Sequence, residues 1–413
     1  MGRVVPRHAE AKVRAALGDT RVVLVIGARQ AGKTTLVRAI GGDSDATWFT
    51  FDSSEHREAA AFDPQSFIER DGLTIIDEIQ RMPDLLLEIK ASVDLDPRPG
   101  RFLLTGSARV FQLRDVPDAL PGRVESIELW PLSQGEIDSS PDGFVDAAFS
   151  QGPQLSHSSE MSRTDYIERV VRGGFPEAVA RQGQRRERFF DAYVDGLIQR
   201  DIMQLAEIQR IQEMRAMVRL LAARSGQTLV PAHIGNELQL PQSTISRYLG
   251  LLEEVFLIKR VPAWTSNLSS RAVSTPKVYF VDSGIAANLL GHDIDGLLEI
   301  GGPLGGLLEG FVAMEIARQL TWSEQRVQLF HYRTRDKVEV DIVLENRRGD
   351  VVAIEVKASA SVGVKDFAGI RHLDAMLGER LKLGLVLYTG PDTVPFGPKF
   401  RAMPISALWE THP

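Results

Sequence analysis

Residues 27–34 read GARQAGKT, the spacing G-x-x-x-x-G-K-[ST], placed directly after an apolar run from Arg21 to Ile26 and directly before TLVRAI. A strand, a glycine-bearing loop and a helix amino terminus in that order aim backbone N–H groups at an anion. Gly27 and Gly32 permit the loop's backbone conformation, while Ala28, Arg29, Gln30 and Ala31 line it with main chain. Lys33 supplies a point charge for terminal phosphates, Thr34 a hydroxyl for Mg2+, and Thr35 the next residue of the binding set. The chemistry such an arrangement would carry is phosphoryl transfer from ATP. Downstream, LTIIDE at 73–78 is an apolar strand whose carboxyl end carries Asp77, placed to hold the hydration shell of the metal. Glu78 follows, positioned to orient and deprotonate the attacking water, which favours hydrolysis over nucleotide storage; the competing reading is a helix-capping acid before IQRMP. A third strand, RFLLTGSAR at 101–109, offers Thr105 and Ser107 as sensors of the attacking water or the γ-phosphate; the competing reading is ordinary turn chemistry at a strand end. Arg109, Arg123 and Arg200 are each candidate arginine fingers, in cis or from a neighbouring subunit, against the reading of surface or structural arginines.

A second constellation lies in KVEVDIVLENRRGDVVAIEVKAS, residues 337–359. Val338, Val340, Ile342 and Leu344 alternate with Glu339, Asp341 and Val343, and Val352, Ile354 and Val356 alternate with Ala353, Glu355 and Lys357. With NRRGD between them these runs predict an antiparallel hairpin. If Glu345 lies opposite Val351, Asp341 faces Glu355 and Glu339 faces Lys357. Opposed carboxylates repel unless a cation or a proton lies between them. A divalent metal removes the conflict. Two acids on adjacent strands with a lysine, plus a glutamate from the preceding helix (Glu309 or Glu315 in LLEGFVAMEI), resemble a restriction-endonuclease-like core, a resemblance that implies Glu309, Asp341, Glu355 and Lys357 as the candidate nuclease residues. The competing reading is a cross-strand salt bridge between Glu339 and Lys357, in a fold kept for binding.

Between them, residues 213–254 carry three helix patterns, MRAMVRLLAARSG, PAHIGNEL and PQSTISRYLGLLEE, with Leu238, Ile245, Leu249 and Leu252 as an inward stripe. VFLIKRVPAW and KVYFVD follow as wing strands. This is the pattern of a winged helix-turn-helix. On DNA, its third helix would present Gln242, Ser243, Ser246 and Arg247 to the major groove, with Lys259 and Arg260 on phosphates. A protein partner is the alternative.

The elements that position these groups follow from periodicity. Strands at 21–26, 47–52, 73–77, 101–106 and 123–129, separated by helical stretches such as Asp84 to Val93, imply a parallel sheet. Val13, Ala16 and Leu17 suggest a weak amphipathic helix ahead of it. The polar segment 134–162, rich in Ser, Gly, Pro and Asp, reads as a mobile connection, and helical pattern resumes at Asp165, broken at RGGFPE. The expected division is a phosphate-loop domain at 1–135, a mobile linker and helical lid at 136–211, a winged helix at 212–290 and a nuclease-like α/β domain at 300–413, an α/β multidomain chain. The 413 residues are 43% hydrophobic and 25% charged with a net charge of −7, so any nucleic-acid footprint is a local one. The absence of cysteine excludes disulfides and thiolate metal sites. With no apolar run near the roughly 18–20 residues that span a bilayer and no signal-like amino terminus, the expectation is a cytoplasmic protein without membrane contact.

GARQAGKTTL, LTIIDEIQRMPDLL, LLTGSARV and LPGRVESIELWPLSQGEI together resemble the ATP-binding domain of AAA-type P-loop ATPases, in the branch whose carboxyl half is domain of unknown function 4143. The resemblance extends through RGGFPEAV, LIQRDI, YFVDSGIAANLL, LLEGFVAMEI and VEVDIVLENRRGDVVAIEVKAS, hence over most of the chain. It implies ATP and Mg2+ as cofactors, leaves the biological role open, and, because AAA relatives often form rings, admits self-association.

Overall fold

The computed structural model describes residues 4–42, 45–106, 122–202, 211–266, 271, 275–299 and 302–413. The chain forms two compact units, Met1–Leu132 with Glu254–Phe256, and Ser133–Glu253 with Leu257–Pro413.

The first unit is built on strands β1 (Val22–Gly27), β2 (Thr47–Thr50), β3 (Thr74–Asp77), β4 (Phe102–Gly106) and β5 (Val124–Leu129), in the order β2-β3-β4-β1-β5. Every pairing is parallel. The sequence-predicted strands are all present. β1, β3 and β4 are buried along their whole length, which is why they read as unbroken apolar runs. The parallel register puts the carboxyl ends of β1, β4 and β3 side by side, with Val25 opposite Thr105 and Leu104 opposite Ile76, and ligands of open α/β sheets bind at that edge. The helix Ala9–Asp19 packs Ala9, Val13 and Ala16 inward.

In the second unit, residues 134–162 depart from the mobile connection expected of them. Ser133 and Glu136 form a capping box on the helix Gln134–Asp138, and the helix Phe144–Ser150 buries Phe144, Val145, Ala147 and Ala148. The main chain of His157 donates to Thr393 Oγ1 at 2.8 Å and that of Ser159 to the Pro391 carbonyl at 2.8 Å. The polar residues that mimic a linker are spent on caps and buried hydrogen bonds. Next come the helices Arg163–Arg172 and Gln184–Gly196, the latter running into a π-helical turn Leu197–Ile202.

The helices Ile211–Ala223, Pro231–Leu238 and Gln242–Glu254 are followed by an antiparallel pair, β6 (Ile258–Val261) and β7 (Lys277–Phe280). Ile245, Leu249 and Leu252 are buried, as the stripe predicts; Leu238 is half-buried. The final sheet comprises β8 (Val327–Arg333), β9 (Glu339–Asn346), β10 (Val351–Lys357), β11 (Leu381–Tyr388), β12 (Val394–Pro395) and β13 (Phe400–Pro404), ordered β12-β13-β11-β10-β9-β8. β8, β9 and β10 are an antiparallel meander; β10, β11 and β13 are parallel, with the helix Ala368–Leu377 crossing between β10 and β11. The helix Leu304–Gln319 is buried on nearly all its faces, which accounts for its lack of a polar stripe.

Candidate functional site

The phosphate loop turns at the end of β1, where backbone geometry decides which residues are tolerated. A Cβ on Gly27 would meet the Leu129 carbonyl oxygen of β5 at 2.0 Å, so only glycine fits. Gln30 takes the left-handed conformation with φ 58°, a cost of about 1–3 kcal/mol that clusters at functional turns. Lys33 opens the helix Lys33–Gly42; it is 6% exposed, and its ammonium donates to the Gly27 and Ala28 carbonyls at 3.0 Å each. Thr34 Oγ1 donates toward the Asp77 carboxylate, 3.1 and 3.0 Å from its two oxygens. Thr105, at the end of β4 between the other two strands, donates its hydroxyl to the same carboxylate at 2.5 Å and accepts the Glu78 backbone N–H at 3.1 Å. Glu78 stands in the left-handed region, φ 61° and ψ 46°, with its carboxylate held by the Gln80 amide at 2.5 Å. Lys33, Thr34, Asp77, Glu78 and Thr105 thus converge at the carboxyl edge of the parallel sheet. A hydroxyl and a carboxylate side by side are the hard oxygen donors that Mg2+ takes.

Sequence reasoning missed Arg7. Its guanidinium, 9% exposed, donates to the Ala31 carbonyl at 2.7 Å and the Trp130 carbonyl at 2.7 Å, tying the phosphate loop to the residue after β5. No motif marks it, because its partners lie 24 and 123 residues away. Of the candidate fingers, Arg123 sits at the amino end of β5, the far end from the phosphate loop, where it grips both oxygens of Asp94 at 2.5 and 3.0 Å. That bidentate pair gives it a structural role in its own unit. Arg200 is exposed on the π-helical turn of the second unit. Ser107 and Arg109 lie outside the described residues.

In the second unit the hairpin register is the expected one, Val351 opposite Glu345 and Ile354 opposite Ile342. The ladder then ends, and Asp341 Oδ2 accepts the Val356 N–H at 3.0 Å. The ion pairing differs from expectation. Lys277, at the start of β7, is 1% exposed and drives its ammonium between Glu309 (2.7 Å), Glu339 (2.8 Å) and Asp341 (3.1 Å). Glu339 is therefore engaged by Lys277, and by Arg333 at 3.4 Å, while Lys357 turns to Glu355 at 2.8 Å. Tyr279, two residues along the same strand, donates its hydroxyl to Glu309 at 2.6 Å. Burial, then the adjacent Asp341 charge, raise the Glu309 carboxyl to about 8 and that of Glu355 to about 7, whereas the three acids hold the Lys277 ammonium above its usual range against the desolvation that opposes it. Of the two helix glutamates, Glu309 is the one that shares Lys277 with Asp341. Glu315 instead binds Arg318 at 2.8 Å and the Gln134 N–H at 2.9 Å. Among the described residues no group of three or more His, Cys, Asp or Glu is arranged to hold a metal ion.

Comparison with known proteins matches residues 19–138 to an AAA domain, 163–295 to a domain of unknown function (DUF8612) and 304–408 to a domain of unknown function (DUF4143). Uncharacterized proteins of Mycobacterium tuberculosis and Mycobacterium bovis are each 30% identical over 408 residues, 98% of this chain and 85% of theirs. The chain belongs to their family, AAA-domain ATPases ending in DUF4143. An uncharacterized protein of Haemophilus influenzae is 25% identical over 59% of this chain and 57% of its own length. A Walker-type ATPase of Pyrococcus abyssi aligns over 69% of this chain and 96% of its own, with 16% identity and a TM-score of 0.44. Membership of this AAA family supports ATP binding and hydrolysis by the first unit. None of the described helices is long and apolar enough to cross a membrane.

Within this AAA–DUF4143 chain the third helix of the three-helix segment exposes Gln242, Ser243, Ser246 and Arg247, while Ile245, Tyr248 and Leu249 face inward. Lys259 is half-buried on β6. Arg260 is committed to Glu253, its Nε donating at 2.7 Å and its N–H at 3.1 Å.

Proposed function

We propose that the first unit is a Mg2+-dependent ATPase in which Lys33 binds the terminal phosphates, Thr34 and Asp77 hold the metal, Glu78 is the general base and Thr105 positions both acids. The observation that carries this reading is the meeting of Thr34, Asp77 and Thr105 through hydrogen bonds of 2.5–3.1 Å, with the Glu78 backbone bonded to the same threonine. Mg2+, when bound with ATP, neutralises charge on the phosphates. The chain's own contribution is to hold the amide cradle open, through glycine at 27 and 32, and to fix the Glu78 carboxylate through Gln80. Lys33→Ala is expected to weaken ATP binding by about tenfold or more, because a charge-assisted contact is lost. Glu78→Gln is expected to bind ATP within about twofold of wild type while hydrolysis falls by about 10²–10⁴. Calorimetric ATP titration alongside phosphate release decides both; wild-type turnover in Glu78→Gln removes Glu78 as the base.

A second reading concerns the three-helix segment with its β6–β7 hairpin, which has the order of elements of a winged helix. The joint exposure of Gln242, Ser243, Ser246 and Arg247 on one helix favours a DNA-reading face over a buried packing surface. ATP turnover stimulated by duplex DNA, and lost in Ser246→Glu/Arg247→Glu, supports it. Turnover indifferent to DNA together with no duplex binding favours a protein partner.

A further inference from the structure

The nuclease-like pattern of the final sheet calls for a divalent metal between its acids, and the residues present do not fit one. A metal in such a core needs the facing oxygens of the two strand acids and the helix glutamate turned toward a common point with room for water around it. Here two of those three acids, Glu309 and Asp341, turn onto Lys277, and the third, Glu355, is held by Lys357 at 2.8 Å. The Lys277 ammonium donates to Glu309 of the helix Leu304–Gln319 at 2.7 Å and to Asp341 of β9 at 3.1 Å, and forms an ion pair with Glu339 of β9 at 2.8 Å. The lysine stem is as buried as its head, and Tyr279 closes Glu309 from the side. The backbone is built for this approach: a Cβ on Gly306 would meet the Ser225 carbonyl at 2.4 Å, and one on Gly310 would touch Ser225 and Tyr279 at 3.1 and 3.3 Å. The helix that carries Glu309 is thus brought close to β7 where the lysine begins.

We propose that Glu309, Glu339 and Asp341 form a cation seat whose resident occupant is the Lys277 ammonium, standing in the place of a divalent metal and pinning the β6–β7 hairpin to the carboxyl-terminal sheet. The opposed carboxylates are each met by an internal cation, Asp341 by Lys277 at 3.1 Å and Glu355 by Lys357 at 2.8 Å, so their charge conflict needs no metal. The sheet is then a docking element for the hairpin and performs no metal-dependent cleavage. The inference does not rest on the ATPase reading.

The test uses the full chain without nucleotide, in wild-type form and as Lys277→Ala, Lys277→Ala/Asp341→Asn and Lys277→Met/Glu339→Gln/Asp341→Asn, with Mn2+ as the metal probe. Wild type is expected to show no Mn2+ binding that depends on Asp341, and no Mg2+- or Mn2+-dependent DNA cleavage that Asp341→Asn abolishes. Lys277→Ala should unfold several degrees lower, gain a Mn2+ site by electron paramagnetic resonance and recover stability when Mn2+ is added; the added Asp341→Asn should erase that gain. If Lys277→Ala does not fold, the triple variant decides, since removing cation and acids together restores folding only when they act as a unit. Asp341-dependent Mn2+ binding or cleavage by wild type overturns the proposal. So does an unchanged melting temperature in Lys277→Ala, or a triple variant that is as unstable as the single one.

Discussion

Two buried cations show what single residues contribute that motifs do not carry. Lys33, Thr34, Asp77 and Glu78 are legible because each lies in a short run whose spacing alone fixes its relation to the strand before it, and the structure brings them together as that spacing requires. Arg7 and Lys277 are illegible for the opposite reason: a lone basic residue acquires its meaning from partners that only the fold supplies. For Lys277 a signal existed in the alternation that puts it on the face shared with Tyr279, but nothing in the sequence says that this face meets acids. Arg7 makes a prediction of its own. By holding the Ala31 carbonyl it fixes the peptide that precedes Gly32, and hence the direction of the loop amides. Arg7→Met is expected to weaken ATP affinity by about tenfold, the scale of a lost charged hydrogen bond, while turnover at saturating ATP changes less. Arg7→Lys should recover part of the loss. Fluorescent-nucleotide titration and the split between KM and kcat check this; unchanged affinity in Arg7→Met would reduce the residue to a structural tie.

At the scale of elements, strands proved easier to read than connections. β1, β3 and β4 are buried along their whole length and read as unbroken apolar runs, whereas β2 is half-buried and β5 alternates buried Ile127 and Leu129 with exposed Ser126 and Glu128, a period-two pattern that marks it instead. The segment 134–162 is ambiguous in sequence because Ser, Asp and Gly serve equally well in a solvated linker and in caps, and only the tertiary partners distinguish the two. The helix Leu304–Gln319 gives the element-scale prediction. Glu315, fully buried, has its carboxyl raised to about 7, because desolvation outweighs the attraction of Arg318. A carboxyl whose folded pKa exceeds its unfolded value, 4.5, binds its proton more tightly in the native state. Its stabilising contribution is complete below about pH 4.5 and is lost as pH rises through about 7. Glu315→Gln removes that dependence. Its melting temperature relative to wild type is therefore expected to rise between pH 5 and pH 8, as measured by scanning calorimetry; a flat difference would show that Glu315 titrates as an ordinary exposed carboxyl.

For the whole molecule, the net charge of −7 limits how the chain engages nucleic acid. The face proposed to read DNA includes the basic residues Arg247, Lys259 and Arg260, and Arg260 already holds Glu253. Binding through that face neutralises about three phosphates at most, so the logarithm of its affinity should fall with that of salt concentration at a slope no steeper than about −3. A fourfold rise in salt then costs no more than about 64-fold in affinity, far gentler than for a protein coated in lysine and arginine. Recognition would depend on Gln242, Ser243 and Ser246 contacting bases, so sequence preference should survive salt that abolishes binding to random duplex. Anisotropy titrations of the full chain on a randomised duplex pool, from low to physiological salt, read both quantities. A slope near −6 or steeper would place the binding on another, more basic surface and remove the third helix from the contact, because three cations cannot release that many counterions.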